Sequence, residues 1–524
     1  MLDYLIQNAS VLDGTGASAV KKDVGIRDGK IVLGSGEPSA RTIDASGLTL
    51  APGFIDAHGH TDLFAFVDPL CGAKLAQGIT TELCGQCGLS PAPVASAHIK
   101  EYTGYYEHQG APIYPNVEKL TGVGVLMETL EGLHPGINLA LFAAHGTLRL
   151  AAMGLSPKAP DQEELDTMCG LLREAVEAGA LGLSTGLMYA PGSFADTEEL
   201  KALCRAVSGT GAIYTSHIRN QGNMLRESVQ EAIDAAAAGG LPVNISHHKA
   251  VGRGNWGAVR DTTEMIRKAG GSHDVYPYTA SSTTLGATLP PSVQKQGYET
   301  FLQRLSDPTY RAELEQMILE PVEEWDNDIL QCGFGGILII SAPATPDALG
   351  CTIEQYAASL GIRPFDAYWK LLADNRMSVG DICFSMSAED VDYLIAAPDC
   401  MFGTDSLYVP GLMAMTHPRA IGTFPKILGE YVRDRGLLTL EEAVRKMTSL
   451  PAERYGLKRK GRIAEGFDAD LVLFDPAVVA EQCSYSEPLK PNIGIEKVFV
   501  NGALAVEAGR PTGVRAGHLL RRGR

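Results

Sequence analysis

The sequence predicts an α/β protein: a (β/α)8 TIM-like barrel with a small β-sandwich domain built from both chain ends and an insertion near the barrel mouth. Two observations predict this fold class. The middle of the chain alternates short apolar segments with amphipathic stretches, which is typical of strand–helix units around a parallel barrel. Both ends of the chain instead contain short β-like segments separated by Asp-Gly and Asn-Gly turns.

Eight candidate strands account for the predicted barrel. The segments between several of them have the apolar periodicity of helices, for example EELDTMCGLLREAVEAG and MLRESVQEAIDAAAAGG. The candidate strands are apolar runs that end in polar residues, which fits a barrel whose working face lies at the carboxyl ends of its strands. They read GFIDAHGH, GITTELCG, INLALFAAHG, ALGLSTGLMY, AIYTSHI, PVNISHH, SHDVYPYT and CMFGTDS.

The domain organisation follows from these patterns. Neither end is long enough for a good sandwich alone, so we expect residues 1–51 and 455–524 to form one small β domain together. Residues 52–454 then form the barrel domain. The strand–helix rhythm breaks between the seventh and eighth strands, and we expect roughly residues 285–345 to form an insertion that folds over the barrel mouth.

Composition narrows the class of protein. The 524 residues are 45% hydrophobic, and 44 Lys and Arg against 62 Asp and Glu give a net charge of −18. An acidic chain of this kind is a poor candidate for binding nucleic acid or an anionic membrane. The amino terminus lacks the pattern of a secretory signal, and ten scattered cysteines favour reduced thiols. We therefore expect a cytoplasmic enzyme.

Six residues with metal-binding or acid–base chemistry fall at the carboxyl ends of predicted strands. Since those ends meet around one barrel mouth, the six side chains should lie together. Thiolate and imidazole are good zinc ligands, and three protein ligands leave one position open for water. These residues are His58, His60, Cys87, His217, His247 and Asp405, and His248 adjoins His247 at the end of the same predicted strand.

Two of the motifs have plainer readings. His58 and His60 lie two apart on a strand, so they point the same way, but two hydrogen-bonded histidines would look the same. Cys84 and Cys87 form a CxxC, which could indicate redox chemistry or half of a structural zinc site. No second CxxC is present to complete a four-cysteine site, and we interpret Cys84 as a buried thiol.

The pattern also resembles a known family. The motifs PGFIDAHGH, GQCGLSPAP, HGTLR, LSTGLMYAPG, YTSHIRNQG, ISHHK, DVYPYTASST and HPRAIGTFPKILG are similar to those of the D-aminoacylase (N-acyl-D-amino-acid deacylase) branch of the amidohydrolases. The resemblance covers nearly the whole chain. Three features depart from it: GQCG replaces the common GNCG, Thr61 stands where an acidic residue is common, and the loop SLYVPGLMAMT is longer and more apolar.

The resemblance implies a zinc site and a carboxylate clamp. One tightly bound Zn²⁺ would sit on Cys87, His217 and His247. His58 and His60 would belong to a second, weaker or empty metal position. The predicted fourth strand offers no lysine of the kind that bridges two metals in many amidohydrolases, which favours one catalytic metal. Asp405 would move protons, and the substrate-binding residues would be Lys249, Tyr276, Ser282 and Arg419.

The implied reaction is zinc-dependent hydrolysis of a small-molecule N-acyl-D-amino acid to a carboxylate and a free D-amino acid. In it, a zinc-activated water attacks the carbonyl and Asp405 shuttles the proton. A dipeptidase releasing a C-terminal D-amino acid would need the same clamp, whereas a hydantoinase-like cyclic amidase would need none. A catalytically silent scaffold on the same fold would have no need to keep the metal ligands together.

Overall fold

The computed structural model describes residues 1–34, 36–321 and 324–523. Its central feature is a closed barrel of eight parallel strands, each of them buried along its length, as expected for strands covered by helices. The strands are β1 (Phe54–Asp56), β2 (Ile79–Cys84), β3 (Asn138–Leu141, continued by Ala143–Ala144), β4 (Gly182–Gly186), β5 (Ile213–His217), β6 (Val243–Ile245), β7 (Ser272–Val275) and β8 (Cys400–Phe402).

Backbone hydrogen bonds close the barrel between its first and last strands. Ala57 N donates to Phe402 O at 3.0 Å, and Asp405 N donates to His58 O at 2.8 Å. The segments that follow β1 and β8 are therefore neighbours at the carboxyl end of the barrel. The predicted (β/α)8 fold class is confirmed.

Capping residues in the sequence mark where the barrel helices begin and end. Asp161 accepts a hydrogen bond from Glu164 N in a capping box, and Gly179 ends the same helix at a φ of 111°. The helices outside the insertion span Gly72–Leu75, Ile99–His108, Val123–Gly132, His145–Met153, Gln162–Ala178, Thr197–Ala206, Leu225–Gly239, Val259–Lys268, Ala388–Ala396, Arg419–Lys426 with a π-helical continuation over Ile427–Asp434, Leu440–Met447 and Ser449–Tyr455. Within the described ranges, no helix has the length and hydropathy needed to span a membrane.

Both ends of the chain contribute to a β-sandwich. One sheet has the order Lys30–Leu33, Val24–Arg27, Leu2–Gln7, Ser39–Asp44, and the other has the order Arg510–Pro511, Ala503–Glu507, Ile495–Val500, Leu471–Phe474, Thr49–Pro52, Ser10–Val11, Val20–Lys21. Thr49–Pro52 pairs antiparallel with Leu471–Phe474, which joins the two ends of the chain. Leu519–Leu520 pairs instead with β3 of the barrel. The domain boundaries given above stay a prediction.

A separate unit lies between β7 and β8. Its three-stranded antiparallel sheet has the order Ser281–Thr284, Gly380–Cys383, Ile337–Ser341. It has a hydrophobic core of its own, which includes Leu285, Phe301, Ile337 and Tyr368. The unit extends beyond the range 285–345 because Gly380–Cys383 is the central strand of the sheet. Its helices span Pro291–Gln294, Tyr298–Arg304, Pro308–Leu319, Asp328–Cys332, Ile353–Leu360 and Pro364–Asp374.

A buried ion network joins β1 and β2 to the helix Gly72–Leu75, which contains Lys74. Lys74 Nζ lies 2.7 Å from Asp56 Oδ2 and 3.1 Å from Glu82 Oε2, and it donates to Thr404 Oγ1 at 2.5 Å. Although burial opposes its charged form, the two carboxylates raise the pKa of Lys74. The network therefore ties β1 and β2 to the segment after β8.

We expect Lys74→Met to lower the free energy of unfolding by about 3–5 kcal/mol, because it leaves two carboxylates buried without a cation. Urea denaturation followed by circular dichroism measures the change. The matched control is Lys100→Met at an exposed position, where we expect a change within about 0.5 kcal/mol. Equal stability of the two variants would contradict the ionic role of Lys74.

Candidate functional site

The six residues singled out from strand ends lie around one mouth of the barrel. His58 and His60 follow β1, Cys87 follows β2, and His217 is the last residue of β5. His247 follows β6 and Asp405 follows β8. All but one of these six line a single cavity of about 1410 Å³, including its open mouth, and the exception, His58, lies just beneath the cavity in contact with Cys87.

Three of these residues have an unusual backbone. Cys87, His247 and Asp405 have φ values of 54°, 34° and 47°, in the left-handed region that side-chain-bearing residues rarely adopt. Such conformations persist where the surrounding structure enforces them, and they concentrate at functional sites. Gly88 next to Cys87 is required by close packing, since a Cβ there would lie 2.8 Å from Gly186 N. The chain thus turns sharply to aim these three side chains at the cavity.

Cys87 is at the centre of the group. Its Sγ lies 3.2 Å from His58 Nε2 and 3.4 Å from His247 Nε2. Burial favours the neutral thiol, but the charge of the adjacent His58 ring and the hydrogen bond with His247 hold the pKa of Cys87 well below its usual range. A buried thiolate between imidazoles is a strong donor for a soft or borderline metal ion.

Asp405 lies on the side of the group formed by the first strand. Its Oδ1 is 3.1 Å from His60 Nε2 and 3.5 Å from His58 Nε2, and its Oδ2 is 2.7 Å from Arg419 Nη1. Burial favours the neutral acid, yet Arg419 and the histidines hold the pKa of Asp405 well below its usual range. The carboxylate is therefore ionised and can accept a proton.

His217 has a different position in the group. Its ring packs against His247 at a centroid distance of 4.4 Å and against Tyr189 at 5.0 Å. Both of its ring nitrogens are buried, and within the described part of the chain their one polar contact is with Cys87, whose pKa that contact lowers. Buried polar atoms are normally satisfied, so this imidazole suits a metal ligand better than a structural residue.

The donor set fits a metal ion. One ligand atom from each of His58, Cys87, His247 and Asp405 lies within 4.8 Å of the others, and His217 flanks them. Thiolate, imidazole and carboxylate donors together suit zinc. The geometry brings His58 as close to Cys87 as His247 is, although the sequence placed His58 in a secondary position. The choice of Cys87, His217 and His247 as the tight set stays a prediction.

A buried carboxylate that the sequence did not single out orients two of the histidines. Asp274 Oδ1 lies 3.1 Å from His58 Nδ1 and accepts a hydrogen bond from His247 N at 2.8 Å, and its Oδ2 accepts from Asn244 Nδ2 at 2.7 Å. A carboxylate on the Nδ1 side of a histidine fixes the tautomer that presents Nε2 as a ligand. Asp274 does this for His58.

We expect Asp274→Asn to weaken zinc affinity by about 10- to 100-fold, as loss of such outer partners does elsewhere. Competition with a chromophoric chelator measures the dissociation constant directly. Asp261→Asn, which removes an exposed carboxylate paired with Arg226, is the control and should bind zinc like the unmodified protein. Equal affinities in both variants would mean that Asp274 only supports the barrel.

The four residues predicted to bind a substrate carboxylate do not contribute equally. Lys249 Nζ and the Arg419 guanidinium lie 5.6 Å and 4.6 Å from the centre of the Tyr276 ring, and the Tyr276 hydroxyl has no partner in the described structure. These three converge on the cavity. Ser282 lines the cavity too, but its hydroxyl donates to Asp381 O at 2.7 Å and its carbonyl accepts from Arg419 Nη2 at 3.2 Å. Ser282 therefore positions Arg419 in this structure.

Lys249 also contacts a proposed ligand. Its Nζ lies 2.8 Å from His247 Nδ1 and donates to Gln221 Oε1 at 3.2 Å. Burial lowers the pKa of Lys249 to about 8. Burial and the neighbouring Lys249 lower the pKa of His247 to about 3, so its imidazole is neutral and able to bind a metal. The clamp and the metal group are thus one connected cluster.

The cavity contains residues that sequence patterns did not indicate. The insertion contributes Asp326 and Asp328, the loop after β4 contributes Tyr189, and the loop after β8 contributes Met413 and Met415. No motif marks the two aspartates, because their position depends on how the insertion packs over the mouth. The apolar loop after Asp405 was the one feature of the sequence that could have indicated the two methionines in the cavity.

Comparison with known proteins identifies the family. The profile of an amidohydrolase family matches residues 41–290 and 366–506. An N-acyl-D-glutamate deacylase of Alcaligenes xylosoxydans xylosoxydans is 35% identical over 533 residues, covering 99% of this chain and 97% of that protein. A similar solved structure is that of N-acyl-D-glutamate deacylase from Bordetella bronchiseptica, complexed with zinc and a phosphonate mimic of the tetrahedral intermediate. Its sequence is 34% identical, its TM-score is 0.84, and the match covers 99% of each chain.

A third similar protein is a D-aminoacylase of known structure. It is 32% identical with a TM-score of 0.81, and 100% of each chain is covered. That structure concerns the role of its binuclear metal centre, with activation by one metal and attenuation by the second. With full-length relatives above 30% identity, this chain belongs to the D-aminoacylase (N-acyl-D-amino-acid deacylase) family of the amidohydrolases.

Proposed function

We propose that this chain is a zinc-dependent amidohydrolase that cleaves N-acyl-D-amino acids into a carboxylate and a free D-amino acid. The observation that carries the proposal is one cavity in which a Cys and His metal group, the ionised Asp405, and the two cations Lys249 and Arg419 lie side by side. The preference for the D-enantiomer is drawn from the relatives. The substrate is a small molecule bearing a free carboxylate.

We assign the tight metal position to Cys87, His217 and His247. The packing of His217 against His247 and its contact with the Cys87 thiol, with no other polar partner in the described structure, support this choice. His58 and His60 then form the second, weaker position on the other side of Cys87. When bound, zinc lowers the pKa of a water molecule toward ~7 and polarises the substrate carbonyl.

We assign proton transfer to Asp405. Its carboxylate is ionised, fixed by Arg419 on Oδ2, and exposed to the cavity through Oδ1 on the side of His60. It can take a proton from the attacking water at Oδ1 and give it to the leaving nitrogen. The left-handed backbone at Asp405 and the hydrogen bond from Asp405 N to His58 O hold the carboxylate at this place.

The free carboxylate of the substrate would be held by Lys249, Tyr276 and Arg419. Arginine offers two parallel donors to a carboxylate, and lysine offers a compact charge. Both cations lie over the ring of Tyr276, whose hydroxyl has no partner in the described structure and can donate a third hydrogen bond.

We expect Lys249→Ala to raise KM for an N-acetyl-D-amino acid by about 10- to 100-fold, because a charge-assisted hydrogen bond is worth ~1.5–3 kcal/mol. Steady-state kinetics with N-acetyl-D-methionine measure the change. Lys268→Ala at an exposed position is the control. An unchanged KM in Lys249→Ala would argue for a substrate without a free carboxylate, as in a cyclic amidase.

Three other candidate functions can be distinguished by the substrate that is cleaved and by the zinc content of the protein. A dipeptidase uses the same clamp and would prefer dipeptides with a C-terminal D-residue, whereas a hydantoinase-like enzyme would open cyclic ureides. A silent scaffold would bind no zinc and cleave none of these. The cytoplasmic location and the absence of a nucleic-acid partner stay predictions from charge and cysteine usage, and all ten cysteines are free thiols.

The test is amine release by the zinc-loaded protein from N-acetyl-D-amino acids, D-terminated dipeptides and hydantoins. We expect the N-acetyl-D-amino acids to give the highest kcat/KM. Preferential cleavage of dipeptides or hydantoins would replace the proposal with the corresponding alternative, and inactivity on all three would overturn it.

A further inference from the structure

The cavity is short of cations for a substrate with two carboxylates. Lys249 and Arg419 are the lysine and arginine that line it within the described part of the chain. Arg419 already pairs with Asp405 at 2.7 Å. If the proposed function holds, the α-carboxylate of the substrate uses the hydrogen-bond donors that remain on these two cations.

The wall formed by the insertion contains two buried carboxyl groups, those of Asp326 and Asp328. Asp326 is 4% exposed and is held by backbone groups, because its Oδ1 accepts from Gln221 N at 3.0 Å and from Gly222 N at 3.1 Å. Asp328 is 5% exposed and lies in the first turn of helix Asp328–Cys332 on the same wall. Burial raises the pKa of both carboxyl groups, that of Asp328 to about 7, while the nearby Lys249 favours their ionised forms. The backbone N–H groups that Asp326 accepts from favour its ionised form as well.

A further carboxylate in this cavity would meet these two aspartates at close range. In a partly enclosed site with a lowered dielectric, like charges repel much more strongly than in water. The rest of the lining combines neutral polar side chains, such as Gln109, with the apolar side chains of Leu89, Met188, Met413 and Met415. Thioether and aliphatic side chains suit neutral groups of varied shape.

Family membership does not decide between neutral and acidic substrates. One reported relative acts on N-acyl-D-glutamate by name, and another is named a D-aminoacylase. The carboxyl groups lining this cavity favour neutral substrates over acidic ones. We propose that Asp326 and Asp328 exclude N-acyl-D-amino acids with acidic side chains, so that the substrates of this enzyme have neutral side chains. This inference rests on the proposed function.

The direct test compares N-acetyl-D-glutamine with N-acetyl-D-glutamate, which have nearly the same shape and differ in charge. We expect kcat/KM to be at least about 100-fold higher for the glutamine derivative, since placing like charges together costs several kcal/mol. Comparable values would overturn the inference while leaving the proposed function intact. Failure to cleave any N-acetyl-D-amino acid would instead overturn the proposed function.

The variant Asp328→Asn tests whether the acidic wall causes the preference for the neutral substrate. Asp328→Asn should lower the glutamine-to-glutamate ratio of kcat/KM by about 10-fold, the effect of ~1.4 kcal/mol. Glu313→Gln, which removes an exposed charge from the same insertion, should leave the ratio unchanged. An unaltered ratio in folded Asp328→Asn would contradict the role of the wall, and the wild-type ratio remains a test if that variant does not fold.

Discussion

Asp405→Asn is expected to reduce kcat by about 10²- to 10⁴-fold, the usual contribution of general acid–base catalysis. Asparagine keeps the size of the side chain and its one amide oxygen can still accept a hydrogen bond from Arg419, but the amide cannot take up a proton as the carboxylate does. Steady-state kinetics on N-acetyl-D-methionine measure the loss. Elemental analysis of the same sample should show the zinc content of the unmodified protein.

The zinc content separates the two roles open to Asp405. Its carboxylate lies within the compact group formed with His58, Cys87 and His247, so it could also act as a ligand. Loss of zinc in Asp405→Asn would make it a ligand, and full zinc with near-normal kcat would remove it from the mechanism. Asp234→Asn, at an exposed position, is the matched control.

Cys87→Ala is expected to abolish tight zinc binding and, with it, activity. We expect the zinc retained after dialysis to fall from about one ion per chain to less than about 0.2, because three protein ligands are needed to hold a catalytic zinc. The pKa of Cys87 is held well below its usual range, so the variant loses a charged ligand as well as an atom. Inductively coupled plasma spectrometry measures the zinc.

Cys84→Ala is the matched control, since Cys84 is the other cysteine of the same CxxC. Burial raises the pKa of the Cys84 thiol well above its usual range, and its Sγ donates to Glu82 Oε1 at 3.4 Å, pointing away from the metal group. Zinc should remain in Cys84→Ala. The reverse pattern, with zinc lost from Cys84→Ala and kept in Cys87→Ala, would contradict the assignment.

The barrel and the general location of the site could be predicted from the sequence, and the reason is physical. Buried parallel strands read as short apolar runs, and each of the eight ends in polar residues at one face. Residues at such ends lie near the mouth, which is why His217, His247 and Asp405 could be named without coordinates, although a neighbour such as His248 contacts Thr262 outside the barrel instead. Burial on both faces of each strand leaves little freedom for register errors.

The detailed arrangement of the metal group could not be predicted. Cys87, His247 and Asp405 have left-handed backbones, and no local pattern specifies the direction in which such a turn aims a side chain. The family resemblance assigns His58 to a secondary metal position, and no sequence pattern gives the distance of 3.2 Å between its Nε2 and Cys87 Sγ. Asp274 was missed because a single aspartate within an apolar strand has no distinguishing spacing.

The insertion was the least predictable part of the molecule. Its strand Gly380–Cys383 lies about 40 residues in sequence beyond its neighbour Ile337–Ser341. The entropic cost of closing a loop changes only slowly at such lengths, so the length of the connection does not indicate which strands will pair. The acidic wall depends on this packing, since Asp326 reaches the cavity by binding the backbone of Gln221 and Gly222.

The central claim is tested most directly by the products formed from racemic N-acetylmethionine. The zinc-loaded protein and a chelator-stripped sample are each incubated with the racemate, and the free methionine is resolved by chiral chromatography. The account predicts free D-methionine from the zinc-loaded sample, no L-methionine, and little release from the stripped sample until zinc is restored. Release of both enantiomers, or equal release with and without zinc, would contradict it.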